Sequence, residues 1–393
     1  MKFCMNLNPL KIGLKVFRLL ALDEYFKMSK ERVKKEISFL NNLPEPNSDI
    51  DRSYNQYLCH NFHLNFFLIF VFNAVALLLF VPTIIWLIAK RSREDNRIVN
   101  KSAVFLLPER YYKVLPESLV SEFDNVYSGG FAVHKCLEKE DVGFVWKILK
   151  CKPFSFFFIY KLMLKISLYR GIIRKYKPNA IIAASEYSFT SSILTNYCEF
   201  VHIEHINVMH GERALEIRAS FFRYSRCYVF EPYYIEVFET LRAYKDQFIT
   251  ELPPAFKMHF AFSSQMIDFK YYLTGHRKKE LVEIAKNLCR LRSKGFTVKV
   301  RPHPLYCTIE IACKYFDKEL LEDPYSVSIE NSLASTKYVL GVDSTVLLQG
   351  YLNEKCVVFD DLVYAHRLTI LKSYGYILLC EKKHQNSYLS HFI

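Results

Sequence analysis

Apolar positions along this chain fall into distinct regimes. From Phe66 to Ala89 the sequence reads FFLIFVFNAVALLLFVPTIIWLIA, apolar all round and uncharged, with Asn73, Pro82 and Thr83 as its only awkward members. A run of that length is enough to cross a hydrocarbon core about 30 Å thick. Lys90, Arg91 and Arg93 follow at once, and a cationic flank of this kind is expected on the cytoplasmic side of a membrane. The run lies too far from Met1 to read as an ordinary cleaved signal peptide. Residues 1–61 carry basic side chains of their own, among them Lys27, Lys30, Lys34 and Lys35. A single span would have to export them. A re-entrant hairpin bent near Pro82, or a helix lying in the interface, would keep both flanks cytoplasmic. Upstream, Ile12, Val16, Leu19 and Leu20 recur at helical spacing opposite Lys11, Lys15 and Arg18, the pattern of a membrane-surface helix or of an ordinary packed one.

After about residue 100 the pattern shortens. SAVFLL, FDNVYSGG, PNAIIAAS and FVHIEHINVMHG are apolar runs of strand length, each stopped by polar, Gly or Pro residues. A helical pattern, FIYKLMLKISLYRGIIRKY, lies between them. The alternation then repeats as KYYLTG, the amphipathic KKELVEIAKNLCRLRSKG, FTVKVRPHP, KYVLGV and KCVVFD. Strands alternating with helices predict parallel sheets with both faces covered. The expected organisation is an N-terminal helical region over 1–98 with a membrane segment at 66–89, then two Rossmann-like α/β domains at 99–225 and 226–393.

Composition narrows the partners. The 393 residues are 51% hydrophobic and 16% aromatic, enough for large cores and too apolar for global disorder. Lys plus Arg exceeds Asp plus Glu by 53 to 40, a net charge of +13, which favours an anionic partner. The basic residues are spread along the chain and no nucleic-acid recognition motif occurs, so nucleic acid is not expected. The 11 cysteines are odd in number and form no C-x-x-C pair, which speaks for a reducing compartment and against a zinc module.

Ligands of open α/β sheets bind beyond the carboxyl ends of the strands, and four strand ends are polar. In VKVRPHP, two prolines of fixed φ flank His303 beside Arg301, a stiff loop able to offer both side chains to a phosphate or carboxylate. In LGVDSTVLLQG, Asp343, Ser344 and Thr345 precede a helical run. That is an N-cap, a place for an anion at a helix start, or both. In NVMHGERALEIR, His210 or Glu212 could take a proton from an acceptor hydroxyl, and Gly211 permits a sharp turn or close approach. In ASEYSFTSS, Glu186 ends an apolar run and reads as a cap or a base. No D-x-D pair follows a strand, and Asp360 and Asp361 are merely adjacent, so neither metal nor other cofactor is expected.

The combination resembles the GT-B glycosyltransferases of bacterial surface polysaccharide synthesis that carry R-x-H-P and D-S-[ST] elements: the sialyl- and polysialyltransferases, the Kdo transferases and the CDP-glycerol transferases. The resemblance covers roughly residues 100–370. It implies a GT-B pair of domains facing a cleft, and with the apolar run and its basic flank the expectation is a membrane-associated transferase on the cytoplasmic side. The donor is a nucleotide-activated sugar, CMP-linked in the favoured case and CDP- or UDP-linked otherwise. The acceptor is a glycan or glycolipid of capsule, O-antigen or lipooligosaccharide. It assigns the donor phosphate to His303, Ser344 and Thr345 and the base to His210, or to Glu212 where a carboxylate acts instead; Arg301 beside the phosphate, and Glu186 and Asp343 as secondary candidates, are read from the strand ends alone. The sialyltransferases carry an acidic pair before glycine where this chain has His210-Gly211-Glu212, so the base and the donor stay open. A CDP-glycerol-type polyol-phosphate transferase and a non-catalytic assembly protein on the same fold are the alternatives.

Overall fold

The computed structural model describes residues 29–90, 101–129, 133–260, 266–380 and 386–393. The chain divides into two units, residues up to His210 with Leu215–Glu251, and Gly211–Ala214 with Leu252–Ile393.

The first unit is built on a six-stranded sheet in the order β2-β1-β3-β4-β5-β6. Its strands are β1 (Ser102–Phe105), β2 (Asn125–Ser128), β3 (Ala180–Ala183), β4 (Glu204–Val208), β5 (Arg226–Val229) and β6 (Phe248–Thr250), all paired in parallel. Every residue of β1 and β3 is buried, as expected for a parallel strand with helices on both faces. The boundary expected at 225/226 lies instead at 251/252, because β5 and β6 extend the first sheet. RCYV is followed by a helix, Pro232–Thr240, with Pro232 in its first turn. A strand–helix pair of this kind looks the same in sequence whether it closes one sheet or opens the next.

The N-terminal region is likewise part of the first unit. Helix Asp49–Asn61 sends the Gln56 amide to the carbonyls of Glu186 and Arg218, both at 2.8 Å. The Arg242 guanidinium donates to the carbonyls of Leu40 and Leu43 at the end of helix Lys30–Asn42, at 2.9 and 2.8 Å. The apolar run forms one continuous helix, Phe66–Ala89, which passes through Pro82 without folding back. The hairpin reading is therefore corrected: the surrounding turns hold the helix, and the proline costs it one backbone bond. Its most apolar 18-residue stretch has a mean hydropathy of 2.6 and is only 6% buried. Arg91, Arg93 and the pattern around Ile12–Leu20 lie outside the described residues.

The second unit holds a five-stranded sheet in the order β11-β10-β9-β7-β8. The strands are β7 (Ile267–Tyr272), β8 (Val298–Arg301), β9 (Thr336–Gly341), β10 (Cys356–Phe359) and β11 (Ser387–Tyr388), again all parallel. Gly341 lets helix Thr345–Leu352 lie directly on the end of β9, since a Cβ there would stand 3.0 Å from the Leu347 Cδ1. Both units are thus Rossmann-like parallel α/β folds, as the strand–helix alternation predicts.

Candidate functional site

In the second sheet the strand order reverses between β7 and β9, and ligands of open α/β sheets sit outside the carboxyl ends at such a point. Two helices start there. Helix Lys278–Ser293, which follows β7, has its own anion in place, for the Glu280 carboxylate accepts from the Arg277 N–H at 2.7 Å. Helix Thr345–Leu352, which follows β9, has no acidic residue in its first turn. Its cap is the neutral Ser344 hydroxyl, which accepts from the Val346 N–H at 3.1 Å. Ser344 is nearly buried and Thr345 is exposed. Of the two starts, the second keeps its positive end for an outside anion.

Asp343 does not cap this helix. It pairs with Arg367 from helix Asp361–Ser373. Burial raises its pKa, and the Arg367 charge and hydrogen bond pull the other way.

His303 sits two strands away, beyond the end of β8, at a spacing of about 10 Å for two inter-strand steps. Its Nδ1 accepts from the backbone N–H groups of Leu305 and Tyr306, at 3.0 and 3.2 Å. A neutral imidazole that accepts at Nδ1 carries its proton on Nε2. Burial holds its pKa below the ordinary histidine value, so at pH 7 His303 is a neutral donor fixed in one tautomer. Exposed Leu305, Tyr306 and Tyr325 surround it, and the Tyr306 ring lies 4.6 Å from the imidazole, centroid to centroid.

Arg301 is placed differently from its neighbour. Its guanidinium donates to Glu322 Oε1 at 2.7 Å and to the Val327 carbonyl at 2.8 Å, and the residue is buried. Glu322 also receives the ammonium of the fully buried Lys270, at 2.6 Å. Burial alone would raise the Glu322 pKa, yet hydrogen bonds from Lys270, Ser332 and Arg301 hold it below its usual value. Arg301 thus ties down the segment that faces the His303 loop.

Sequence reasoning passed over His276. It follows β7 in LTGHR, so the same search for polar strand ends applies to it. The Thr274 N–H donates to Nε2 at 3.0 Å, and Nδ1 meets the Tyr364 hydroxyl at 2.5 Å. Burial, with Arg367 adding to it and Glu280 opposing, lowers its pKa to about 4. His276 therefore serves as a neutral latch on the turn beside the Asp343–Arg367 pair.

In the first unit, His210 follows β4, whose end is fixed by the Met209 N–H donating to the Tyr228 carbonyl at 3.0 Å. Glu212 belongs with the other unit, which takes in Gly211–Ala214; there its charge raises the pKa of buried Tyr376, after burial itself. Gly211 has no positive φ and open space where a Cβ would stand. Glu186 is fully buried, and its Oε1 accepts from the Asn207 amide at 2.9 Å. A carboxylate without exposed surface cannot meet an acceptor hydroxyl, so Glu186 acts as framework.

Asp360 is buried, caps helix Asp361–Ser373 through the Val363 N–H at 3.1 Å and accepts from Tyr271 at 3.0 Å. Among the described residues no group of three or more His, Cys, Asp or Glu is arranged around a metal position.

No family profile and no curated protein matches this sequence. Solved structures do resemble it at low identity. A UDP-N-acetylglucosamine 2-epimerase is 13% identical with a TM-score of 0.41, over 67% of this chain and 78% of its own. The glycotransferase of kitacinnamycin is 9% identical with a TM-score of 0.40, over 73% and 92%. The wall teichoic acid polymerase TagF is 9% identical with a TM-score of 0.37, over 74% and 76%.

Proposed function

We propose that the chain is a GT-B-type glycosyltransferase that moves a sugar from a nucleotide donor to a glycan or glycolipid of a bacterial surface polysaccharide, working at the cytoplasmic face of the membrane. The observation that carries this reading is the pair of donors at the ends of β8 and β9. These are the Nε2–H of His303, made available because Nδ1 is tied to its own loop, and the start of helix Thr345–Leu352 with no carboxylate in its first turn. Both are neutral, fixed in place and suited to the oxygens of a nucleotide phosphate.

In the reaction an acceptor hydroxyl oxygen bonds to the anomeric carbon as the bond from that carbon to the donor phosphate oxygen breaks. The negative charge left on the phosphate falls to His303, Thr345 and the helix start. The acceptor proton goes to His210, which needs little tuning to act near neutral pH. Glu212 is the alternative acceptor of that proton. Arg301 and His276 hold the two loops. A cytidine monophosphate donor is favoured, with CDP- and UDP-linked donors next. The His210-Gly211 pair favours one second reading, a CDP-glycerol-type transferase, whose product would carry a new phosphodiester.

A thermal-shift panel of CMP, CDP and UDP tests the nucleotide site, since a ligand at 100 times its Kd stabilises by about 2.7 kcal/mol. No shift with any of them would overturn the reading. His210→Ala is expected to lower transfer by about 10²- to 10⁴-fold with nucleotide binding kept. Normal transfer by both His210→Ala and Glu212→Gln would remove the base assignment.

A further inference from the structure

The helix Phe66–Ala89 has two faces of the same apolar character and opposite surroundings. On one face Leu68, Ala76 and Leu87 are buried. Phe72 stacks on Phe157 at 5.3 Å between centroids, the Asn73 side chain accepts from the Phe157 N–H at 3.1 Å, and Thr83 meets the Tyr160 hydroxyl at 3.3 Å. The Leu87 carbonyl accepts from the Leu137 N–H at 3.2 Å. Positions 68, 72, 76, 83 and 87 form one stripe at helical spacing. On the opposite stripe Phe67, Phe70, Leu78, Val81, Ile85 and Ile88 are exposed by 64, 61, 75, 57, 61 and 48%. A soluble monomer rarely exposes so large a continuous apolar surface.

The docked stripe decides the geometry. From Leu68 to Leu87 it runs for about 28 Å at 1.5 Å per residue, nearly the thickness of a hydrocarbon core. The helix it lies on, Phe156–Tyr176, carries Lys161 and Lys165 and buries Phe158, Ile159, Leu162, Met163 and Ile166 in the first unit. Were the apolar helix to cross a bilayer, that charged helix would enter the hydrocarbon with it, at a cost of several kcal/mol per unsatisfied or charged group.

We infer that Phe66–Ala89 lies in the plane of an anionic lipid leaflet as a monotopic anchor, with its free stripe sunk to the acyl boundary and its other stripe holding the first unit at the surface. Cations border the helix where headgroups would lie. The Lys90 ammonium is 3.8 Å from the Trp86 ring centroid, and Lys161 stands 5.8 Å from the Phe157 ring that stacks on Phe72. Lys135 and Lys161 lie close enough to Lys165 to disfavour its charge, after burial. In sequence Arg91 and Arg93 follow. This basic border favours a lipid surface over a second copy of the chain, whose equal border would be repelled. The inference is independent of the chemistry proposed above.

The test uses the full chain on vesicles of phosphatidylcholine and phosphatidylglycerol. Its two tryptophans, Trp86 and Trp146, are replaced by Phe, and single tryptophans are introduced at Phe67, Leu78 or Ile85, all on the free stripe. Lipids brominated at shallow or deep carbons then report depth. An in-plane helix gives the same shallow quenching at all three positions. Deep quenching at Leu78 with shallow quenching at Phe67 would show a span and overturn the inference. Absence of quenching, with a dimer in solution, would overturn it in favour of a second copy. Lys161→Gln is expected to weaken vesicle binding about fivefold, the value of one charge near an anionic surface. Nucleotide-induced thermal shifts, read in the same preparations, keep a failed donor site separate from a failed anchor.

Discussion

Polar residues close the strands of both sheets, and the two units use them in opposite ways. At the ends of β3 and β4, Glu186 and Asn207 are fully buried and bonded to each other, and the Asn207 side-chain Oδ1 accepts from the Ser185 N–H at 2.9 Å. Their hydrogen-bonding capacity is consumed within the fold. At the ends of β8 and β9, His303 uses only Nδ1 internally and Thr345 is exposed at a helix start. A polar strand end is open to a ligand only where donors are left over after the fold has been satisfied. Arg301 shows the rule inside a single motif, for two residues before His303 both of its terminal nitrogens are bonded to Glu322 or to backbone carbonyls.

The strongest way to break this comparison is Glu322→Ala, which leaves buried Lys270 and Arg301 without their carboxylate. A loss of about 3–5 kcal/mol in urea denaturation is expected for a buried pair that loses one partner. A loss below about 1 kcal/mol would mean that Arg301 is free for a ligand after all. The same carboxylate gives the pH dependence. Its pKa is lower folded than unfolded, so it stabilises the fold above the unfolded value of about 4.3. That stability fades as pH falls through the folded pKa. Glu322→Gln should flatten the acid limb of a stability–pH curve.

Next comes His303→Ala, with a ten- to hundredfold loss of nucleotide affinity by titration calorimetry, equal to about 1.5–3 kcal/mol for a charge-assisted bond. Its folding stability should barely move. Because burial keeps His303 neutral at pH 7, affinity should not change between pH 7 and 8. Glu186→Ala should do the reverse, costing about 1–3 kcal/mol of stability by stranding the Asn207 amide while nucleotides bind as before. The smallest effect is Thr345→Ala, about two- to tenfold in affinity for one neutral hydrogen bond. Backbone N–H groups at the same helix start remain.

Strands β1 to β4 and β7 to β10 were legible because each is an apolar run ended by polar, Gly or Pro residues. FIT and SY were not, being three and two residues long with no period to read, and RCYV runs straight into a helix and reads equally as the start of a new unit, so the end of the first unit was misplaced by two strands. The N-cap role of Ser344 was visible in D-S-T because capping is local. The roles of Arg301 and His276 were not, since their partners lie far along the chain. Glu322 is 21 residues from Arg301 and Tyr364 is 88 residues from His276. A motif shows which donors a strand end carries, and only the fold shows which of them are already used.

The docked stripe of Phe66–Ala89 also sets an order of events during synthesis. Its bond from Asn73 reaches 84 residues forward to Phe157. At about 5–20 residues per second, the apolar helix leaves the ribosome roughly 4–17 s before the surface it rests on exists. Throughout that interval both of its faces are bare, and helix formation itself takes about a microsecond. The finished helix therefore meets its surroundings before it meets its own domain. With the anchor inferred above, a leaflet close to the ribosome would take the free stripe first, and the first unit would then fold onto a helix already lying on the membrane.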